Sequence, residues 1–297
     1  MYLTHPKSLM LFIYTRYITY LISDDYSYIK ILYWLDRGKK INLQEPKTFQ
    51  EKLQWLKLNN QRPEFSKMVD KYEAKKFVAS IIGGEYIIPT LGVWDHADDI
   101  DFSLLPNQFV LKCTHDSGRV IICKDKSEFD SKWARNRLND TLKKDYYKRS
   151  REYPYKNVRH RIIAEKYMKD DGNDELVDYK FFCFNGLAKY CQVVHGRSEK
   201  ETIDFFDRQW NHQAFVGLTP HVGFSPTPWP KPDAFPEMLR IADTLASKVG
   251  SPFVRIDLYV INGHVYFGEI TFFPNSGFGS FQPKEWNLKM GEMITLL

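Results

Sequence analysis

Arg255, Asp257 and Glu269 stand in two runs, Val254 to Ile261 and Val265 to Thr271, that otherwise read as buried strands. An unpartnered carboxylate in such a strand is costly to desolvate, and two are worse unless a cation lies between them. Mg2+ takes hard oxygen ligands and completes its shell with water and substrate phosphates, so two carboxylates on one strand face suit it. The competing reading is an ion pair of Arg255 with one acid at a sheet edge. If the hairpin turn is the two residues Asn262-Gly263, Asp257 opposes Gly268 and Glu269 points to the other side. A three-residue loop, with Gly263 in the left-handed conformation closing a bulge, brings all three side chains to one face. A shared metal therefore predicts an odd-length loop.

Lys112 ends the apolar run Phe109-Val110-Leu111 and precedes Thr114-His115-Asp116-Ser117-Gly118. A lysine there can hold phosphate as a point charge while the N–H groups of a small polar turn wrap it, or it can snorkel to solvent. Asp70-Lys71 with Lys75-Lys76 is a basic stretch on a helix. Glu165-Lys166-Tyr167-Met168 leaves a buried strand for a loop, where backbone groups could read a purine edge. Asp178 and Lys180, two apart on a strand, share a face and read as ribose acceptor and phosphate donor or as an ion pair.

These residues need elements to hold them. Residues 1 to 65 read as helical, with a capping-box spacing at Thr48 and Glu51, and Asp70 to Ile82 is a second helix stopped by Gly83-Gly84. Tyr86 to Pro89, Gln108 to Cys113, Val120 to Cys123 and Arg161 to Met168 are strands, with a charged helix from Ser127 to Tyr147. Asn185-Gly186 turns a hairpin of Asp178 to Phe184 and Leu187 to Val194, setting Cys183 opposite Ala188 and Lys180 opposite Cys191. Gly217 to Pro236 is a Pro-rich loop, Phe235 to Val249 a helix, and Pro274 to Ser280 a glycine-rich loop. This mixture predicts an α+β fold with largely antiparallel sheets.

With 297 residues, 43% hydrophobic, and 42 Lys+Arg against 37 Asp+Glu, the chain can bury a real core. That composition excludes a disordered, collagenous or coiled-coil protein. The net charge of +5 fits anionic ligands such as nucleotides, and no basic block marks a nucleic-acid footprint. Four scattered cysteines, without a C-x-x-C pair, predict free buried thiols in a reducing, cytoplasmic setting and no zinc. The apolar stretch from Leu9 to Ile22 carries Arg16 and, at about 14 residues, is shorter than the roughly 20 of a bilayer span. It reads as an amphipathic helix docked on the core, or as a peripheral contact with the inner face of a membrane.

In this order, Pro46-Lys47-Thr48-Phe49, Asp70-Lys71, Phe109-Val110-Leu111-Lys112, Glu165-Lys166-Tyr167-Met168, Asp178-Tyr179-Lys180-Phe181-Phe182, Arg255-Ile256-Asp257-Leu258-Tyr259 and Phe267-Gly268-Glu269-Ile270-Thr271-Phe272 resemble the TupA-like branch of the ATP-grasp superfamily, from about Leu43 to the end. The resemblance implies two α+β subdomains gripping ATP between their sheets. It sets a helical segment over 1–65 and an ATP-grasp domain over 66–297, with a small lid at about 105–168 and a metal-binding part at about 169–297. It implies Lys71 and Lys112 on the ATP phosphates, with the Ser117-Gly118 turn folded over them. Glu165 to Met168 becomes the hinge that reads adenine through Lys166 and Met168. Asp178 meets the ribose, Lys180 lies near the phosphates, Asp257 and Glu269 hold Mg2+, and Arg255 steadies the transferred phosphoryl group. The family usually has Asn where this chain has Thr271, so either Thr271 or Asn275 completes the metal site.

The implied chemistry is carboxylate–amine ligation through an acyl phosphate. Its expected partners are ATP, an acidic sugar or polysaccharide precursor of a bacterial surface, and an amine or amino acid. His195, Arg197, Arg208, Asn275 and Ser276 are the candidates for the acceptor, and Trp210, Trp229 and Trp286 either stack on sugars or fill the core. A glycosyltransferase using Asp99-Ile100-Asp101, or a nucleotide-binding scaffold without activity, are the rival readings.

Overall fold

The computed structural model describes residues 6–296 except 173–174, 197–200 and 220–221. Five helices come first: α1 (Pro6–Arg16), α2 (Asp25–Arg37), α3 (Phe49–Asn59), α4 (Phe65–Val69) and α5 (Glu73–Ile82). Their ends follow local chemistry. Asp24 caps α2 by accepting from Ser27 N at 2.7 Å, and Thr48 with Glu51 forms the expected capping box on α3. α1 meets α2 through Tyr14 and Tyr28, but leaves Leu9, Met10, Phe12 and Ile13 exposed. Its apolar residues lie around the helix rather than along one stripe, which corrects the expectation of an amphipathic helix laid on the core.

The next elements are β1 (Thr90–Trp94), β2 (Phe109–Cys113), β3 (Val120–Cys123), α6 (Ser131–Leu142), α7 (Tyr146–Ser150) and β4 (Ile162–Lys166). They build an antiparallel sheet in the order β1-β4-β2-β3. Strand alternation turns Phe109, Leu111, Cys113, Ile162 and Ala164 to Ala134 and Leu138 of α6. The same alternation leaves Val110, Lys112, Val120, Ile122 and Glu165 on the opposite face. This sheet begins at Thr90, ahead of the lid boundary expected near 105. Tyr86 to Pro89 is not a strand: Ile87 makes one isolated bridge to Phe267, and pairing with β4 opens at the Pro89 carbonyl, which accepts from Lys166 N. The expected helix from Ser127 to Tyr147 is two helices, because Asp130 and Asp145 each cap a new start.

A larger sheet follows from β5 (Asp178–Phe184), β6 (Leu187–His195), β7 (Thr202–Asp207), β8 (Val216–Gly217), α8 (Phe235–Val249), β9 (Phe253–Ile261), β10 (His264–Thr271), β11 (Phe281–Gln282) and α9 (Trp286–Glu292). Its antiparallel order is β10-β9-β5-β6-β7, while β8 and β11 pair separately. α8 covers the face that carries Phe181 and Cys183. On the other face Phe182, Phe253, Phe281 and Phe49 interlock edge to face, and that packing gives way to the charged residues toward the small sheet.

Both hairpins turn on Asn-Gly with left-handed φ, and both carry a bulge inside the strands, whereas the sequence expectation places one only at the second loop. In the first, Cys183 opposes Ala188 as expected, but the register then shifts, so Lys180 opposes Gln192 and Phe181 opposes Cys191. The four cysteines are buried and free. In the second, the loop is the two-residue turn, not the odd-length one: His264 pairs with Ile261. The change of face comes from Gly268, which bulges between Phe267, opposite Leu258, and Glu269, opposite Asp257. A Cβ on Gly268 would stand 3.0 Å from the Asp257 carbonyl oxygen and 2.9 Å from the Tyr259 ring, so the bulge requires glycine.

Candidate active site between the two sheets

On the large sheet, Arg255 is the hub. Its Nε and Nη2 donate to the two Asp257 oxygens at 2.6 and 2.7 Å, and Nη2 also reaches Glu269 Oε1 at 3.0 Å and Thr271 Oγ1 at 3.2 Å. Lys180 Nζ bridges Asp257 Oδ2 at 2.5 Å and Asp178 Oδ1 at 3.0 Å. Asp257 is buried, and desolvation pushes its carboxyl above the usual range against the pull of Arg255 and Lys180. Glu269 opens to the cleft along 46% of its side chain. Partial desolvation would raise its carboxyl, but Arg255, then Lys180 and Lys71, outweigh that and hold it down at about 2.

The two acids oppose each other across β9 and β10, with the Thr271 hydroxyl donating to Glu269 at 2.9 Å. Among the described residues no three His, Cys, Asp or Glu gather as a cage for a metal. A two-carboxylate, one-hydroxyl set fits Mg2+ that takes its remaining ligands from phosphates and water. Asn275 turns its amide to the Leu218 carbonyl, which leaves Thr271 as the residue placed with the acid pair.

The small sheet and the start of α5 supply the neighbouring cations. Glu165, buried at the end of β4, is clasped by Lys112 and by Lys75 at 2.5 Å. Burial raises its carboxyl, yet Lys112 and Lys75 overcome this and bring it to about 2. Lys71 donates to the Asp116 carbonyl, and burial lowers its ammonium while Glu269 draws it up. Asp70 fixes Lys71 in place by accepting from Tyr72 N and Glu73 N at the start of α5, and by pairing with Arg161 at 2.9 Å. The following turn carries Ser117 and Gly118 exposed, with Gly118 at φ 82°.

Beside this charged row a cleft of about 450 Å³ is lined by Val110, Ile122, Lys166, Met168 and Tyr259, among others. Val120 and Ile122 on its wall are 47% and 53% exposed, an apolar face sized for a flat ring.

The acceptor candidates do not gather here. Arg208 pairs bidentately with Asp243 of α8 at 2.9 and 3.0 Å, on the sheet face away from Lys180. His195 faces the same way, hydrogen-bonded to Ser225 and Thr202 at 2.8 Å and packed on Trp229. Arg197 lies outside the described residues. Ser276 does border the site, but its hydroxyl is held by Glu152 at 2.7 Å and its carbonyl accepts from Lys57 at 2.7 Å. Trp210, Trp229 and Trp286 pack against the core: Trp210 stacks on Phe206, Trp286 on Phe215, and Trp229 lies tilted against His195. Asp101 spends Oδ1 on Ser103 N and Oγ at 2.9 and 2.6 Å, a local cap rather than a metal motif. Sequence reasoning missed Lys75 as the second clasp on Glu165, and it missed Tyr146 and Glu152, which stand 3.3 Å apart behind Ser276.

His115, next to the Ser117-Gly118 turn, is buried and stacks on His160 with ring centroids 3.6 Å apart. Burial, then His160, lowers its pKa to about 4. Below the unfolded value of about 6.5 the unfolded chain takes up the proton first. Stability is therefore lost as pH falls from about 6.5 to about 4, by about 3 kcal/mol in full. His115→Phe keeps the stack and should flatten that limb of melting temperature against pH; an unchanged slope would refute the assignment.

A family model described as TupA-like ATPgrasp matches residues 51–295. Among solved structures, D-alanine–D-alanine ligase from Bacillus anthracis complexed with ATP is similar at 17% identity, over 70% of this chain and 56% of that one, with a TM-score of 0.43. The Helicobacter pylori D-alanine–D-alanine ligase matches at 15% identity over 84% of this chain and 70% of that one, with a TM-score of 0.41. L-amino acid ligase from Bacillus licheniformis matches at 10% identity over 86% and 57%, with a TM-score of 0.45. The chain thus spans little more than half the length of the first of these. No protein of curated function matches its sequence.

Proposed function

The chain belongs to the TupA-like ATP-grasp family, whose members bind ATP with Mg2+, and on that premise we propose that it is an ATP-dependent ligase joining a carboxylate to an amine. The observation that carries this reading is the Asp257–Glu269 pair on β9 and β10, with Lys71 in the field of both Glu269 and Lys112, which lines the adjoining cleft. Adenine would lie on the apolar wall of Val110, Ile122 and Met168, with backbone groups at Lys166 and Met168 meeting its edge. Asp178 would take the ribose.

Lys71, Lys112 and Lys180 would hold the phosphates as point charges, under the N–H groups of the Ser117-Gly118 turn. Asp257, Glu269 and Thr271 would hold Mg2+, which neutralises phosphate charge during transfer. Arg255, fixed by Asp257, presents Nη2 toward Glu269 and steadies the charge that builds on the transferred group. The carboxylate oxygen attacks the terminal phosphorus, ADP leaves, and the amine then displaces phosphate from the acyl phosphate to form the amide. The enzyme's share is positioning and charge neutralisation.

The carboxylate or amine partner would belong to an acidic sugar of a bacterial surface polysaccharide, the other partner being an amino acid or amine. Among the described residues no helix is long and apolar enough to cross a membrane. Exposed Leu9, Met10, Phe12 and Leu21 support a peripheral contact of residues 9–22 with a cytoplasmic membrane face, which liposome co-sedimentation of the full chain tests. For the ligase reading, the protein is incubated with ATP, Mg2+, a uronic-acid donor and mixed amino acids. ADP, phosphate and a new amide are expected. Release of AMP, or consumption of a nucleotide sugar without ATP, would overturn it.

A further inference from the structure

A second cleft, of about 340 Å³, adjoins the turn that carries Asp116 and Arg119. It is lined by Thr15 and Tyr20 of the N-terminal segment, Asp116 and Arg119 of the turn, and Lys144, Asp145, Tyr146 and Arg149 around the start of α7. Arg119, Lys144 and Arg149 give it three cations against two acids. Asp145 is already engaged in capping α7, and Asp116 Oδ2 reaches Arg119 only at 3.5 Å. Arg119 Nη1 and Asp116 Oδ2 are both buried and meet as a loose ion pair without a close hydrogen bond.

The position of this cleft relative to the reacting groups is fixed by contacts. The Asp116 backbone that walls it accepts from Lys71, the lysine that lies in the field of Glu269 and Lys112. Tyr146, on another wall, stands over Glu152, which holds Ser276 in the loop after β10. The apolar cleft and the cationic cleft therefore flank one row of charges, with Lys112 lining the first and the Asp116–Arg119 turn lining the second. Tyr20, 56% exposed, adds an aromatic surface of the kind that sugar rings cover.

We propose that this cleft binds the acceptor as an anionic sugar, its carboxylate or phosphate held by Arg119, Lys144 and Arg149 and its ring set against Tyr20. The N-terminal helices, tied to α7 by Arg151 bonding Asp25 and the Thr19 carbonyl, are then a wall of the acceptor site rather than an appendage. The proposal rests on the ligase reading, in which the neighbouring lysines hold ATP.

The test is calorimetric titration of the full chain and of the double variant Lys144→Glu with Arg149→Glu. Both changes are at exposed positions. The probes are D-glucuronate, α-D-glucose 1-phosphate and neutral D-glucose, with Mg2+-ATP titrated separately. One or both anionic sugars should bind the wild-type protein and weaken about tenfold or more in the variant, with glucose not binding and ATP affinity held within about twofold. Which anion binds tells carboxylate from phosphate. Glucose binding as tightly as the anions, neither anion binding, or no loss in the variant would overturn the proposal. An equal loss of ATP affinity would also overturn it, by making the cleft part of the nucleotide site. Failure of the wild-type protein to bind ATP at all would instead defeat the ligase reading.

Discussion

Glu269→Gln should lower ATP-dependent turnover by about 100-fold or more while leaving the melting temperature nearly unchanged. The side chain is open to the cleft, and its loss leaves Arg255 still forked onto Asp257, so little of the fold depends on its charge. Asp257→Asn is expected to fail in both respects. Asp257 is 1% exposed and is the anion shared by Arg255 and Lys180, and uncovering buried cations costs about 3–5 kcal/mol. Thermal melts and ADP release measured side by side on the two variants separate an acid needed for turnover alone from one needed for the fold as well. Turnover surviving in Glu269→Gln would remove the metal assignment.

Glu165→Gln carries the second large effect. The carboxylate stands between Lys75 and Lys112 with its side chain 6% exposed, so neutralising it leaves two ammonium groups repelling each other in a desolvated place. The expected loss is about 3–5 kcal/mol. Adding Lys75→Met removes the stranded charge at similar length and should recover part of that loss while leaving Lys112 in place. Glu165 also gives an acid limb: its pKa, about 2 in the fold, lies below the ordinary value of 4.5, so its contribution is complete above about 4.5 and fades as pH falls toward 2. A double variant no more stable than the single one would show that Lys75 does not share the load.

The sequence made the acid pair and its arginine conspicuous because charge stands out in an apolar strand, and Lys112 was marked in the same way by the run before it. The hidden half of the cluster had no such contrast. Lys75 sat beside Lys76 on a helix and looked like a solvated face, although only Lys75 turns inward to Glu165 and the Ile88 carbonyl. His195 and Arg208 looked free because their partners, Ser225 and Asp243, are far along the chain and come together only when β6, β7 and α8 pack. Two bulges were the other silent feature. Gly268 did carry a signal, a glycine inside a strand pattern, and that signal was the one to weigh against a lengthened turn.

That glycine changes what counts as a mild alteration in this hairpin. The residue at 268 is a spare, unpaired by any residue of β9, so a shortened chain lacking it would still bring Glu269 opposite Asp257 by ordinary pairing. An insertion in the turn at Asn262-Gly263 would be equally silent if the added residue stayed in the loop. Exchange of Gly268 for any residue with a Cβ is not silent, since the Asp257 carbonyl and the Tyr259 ring must give way to admit it, right beside the acid pair. Among descendants of this chain, length at that position is free to drift while identity is not.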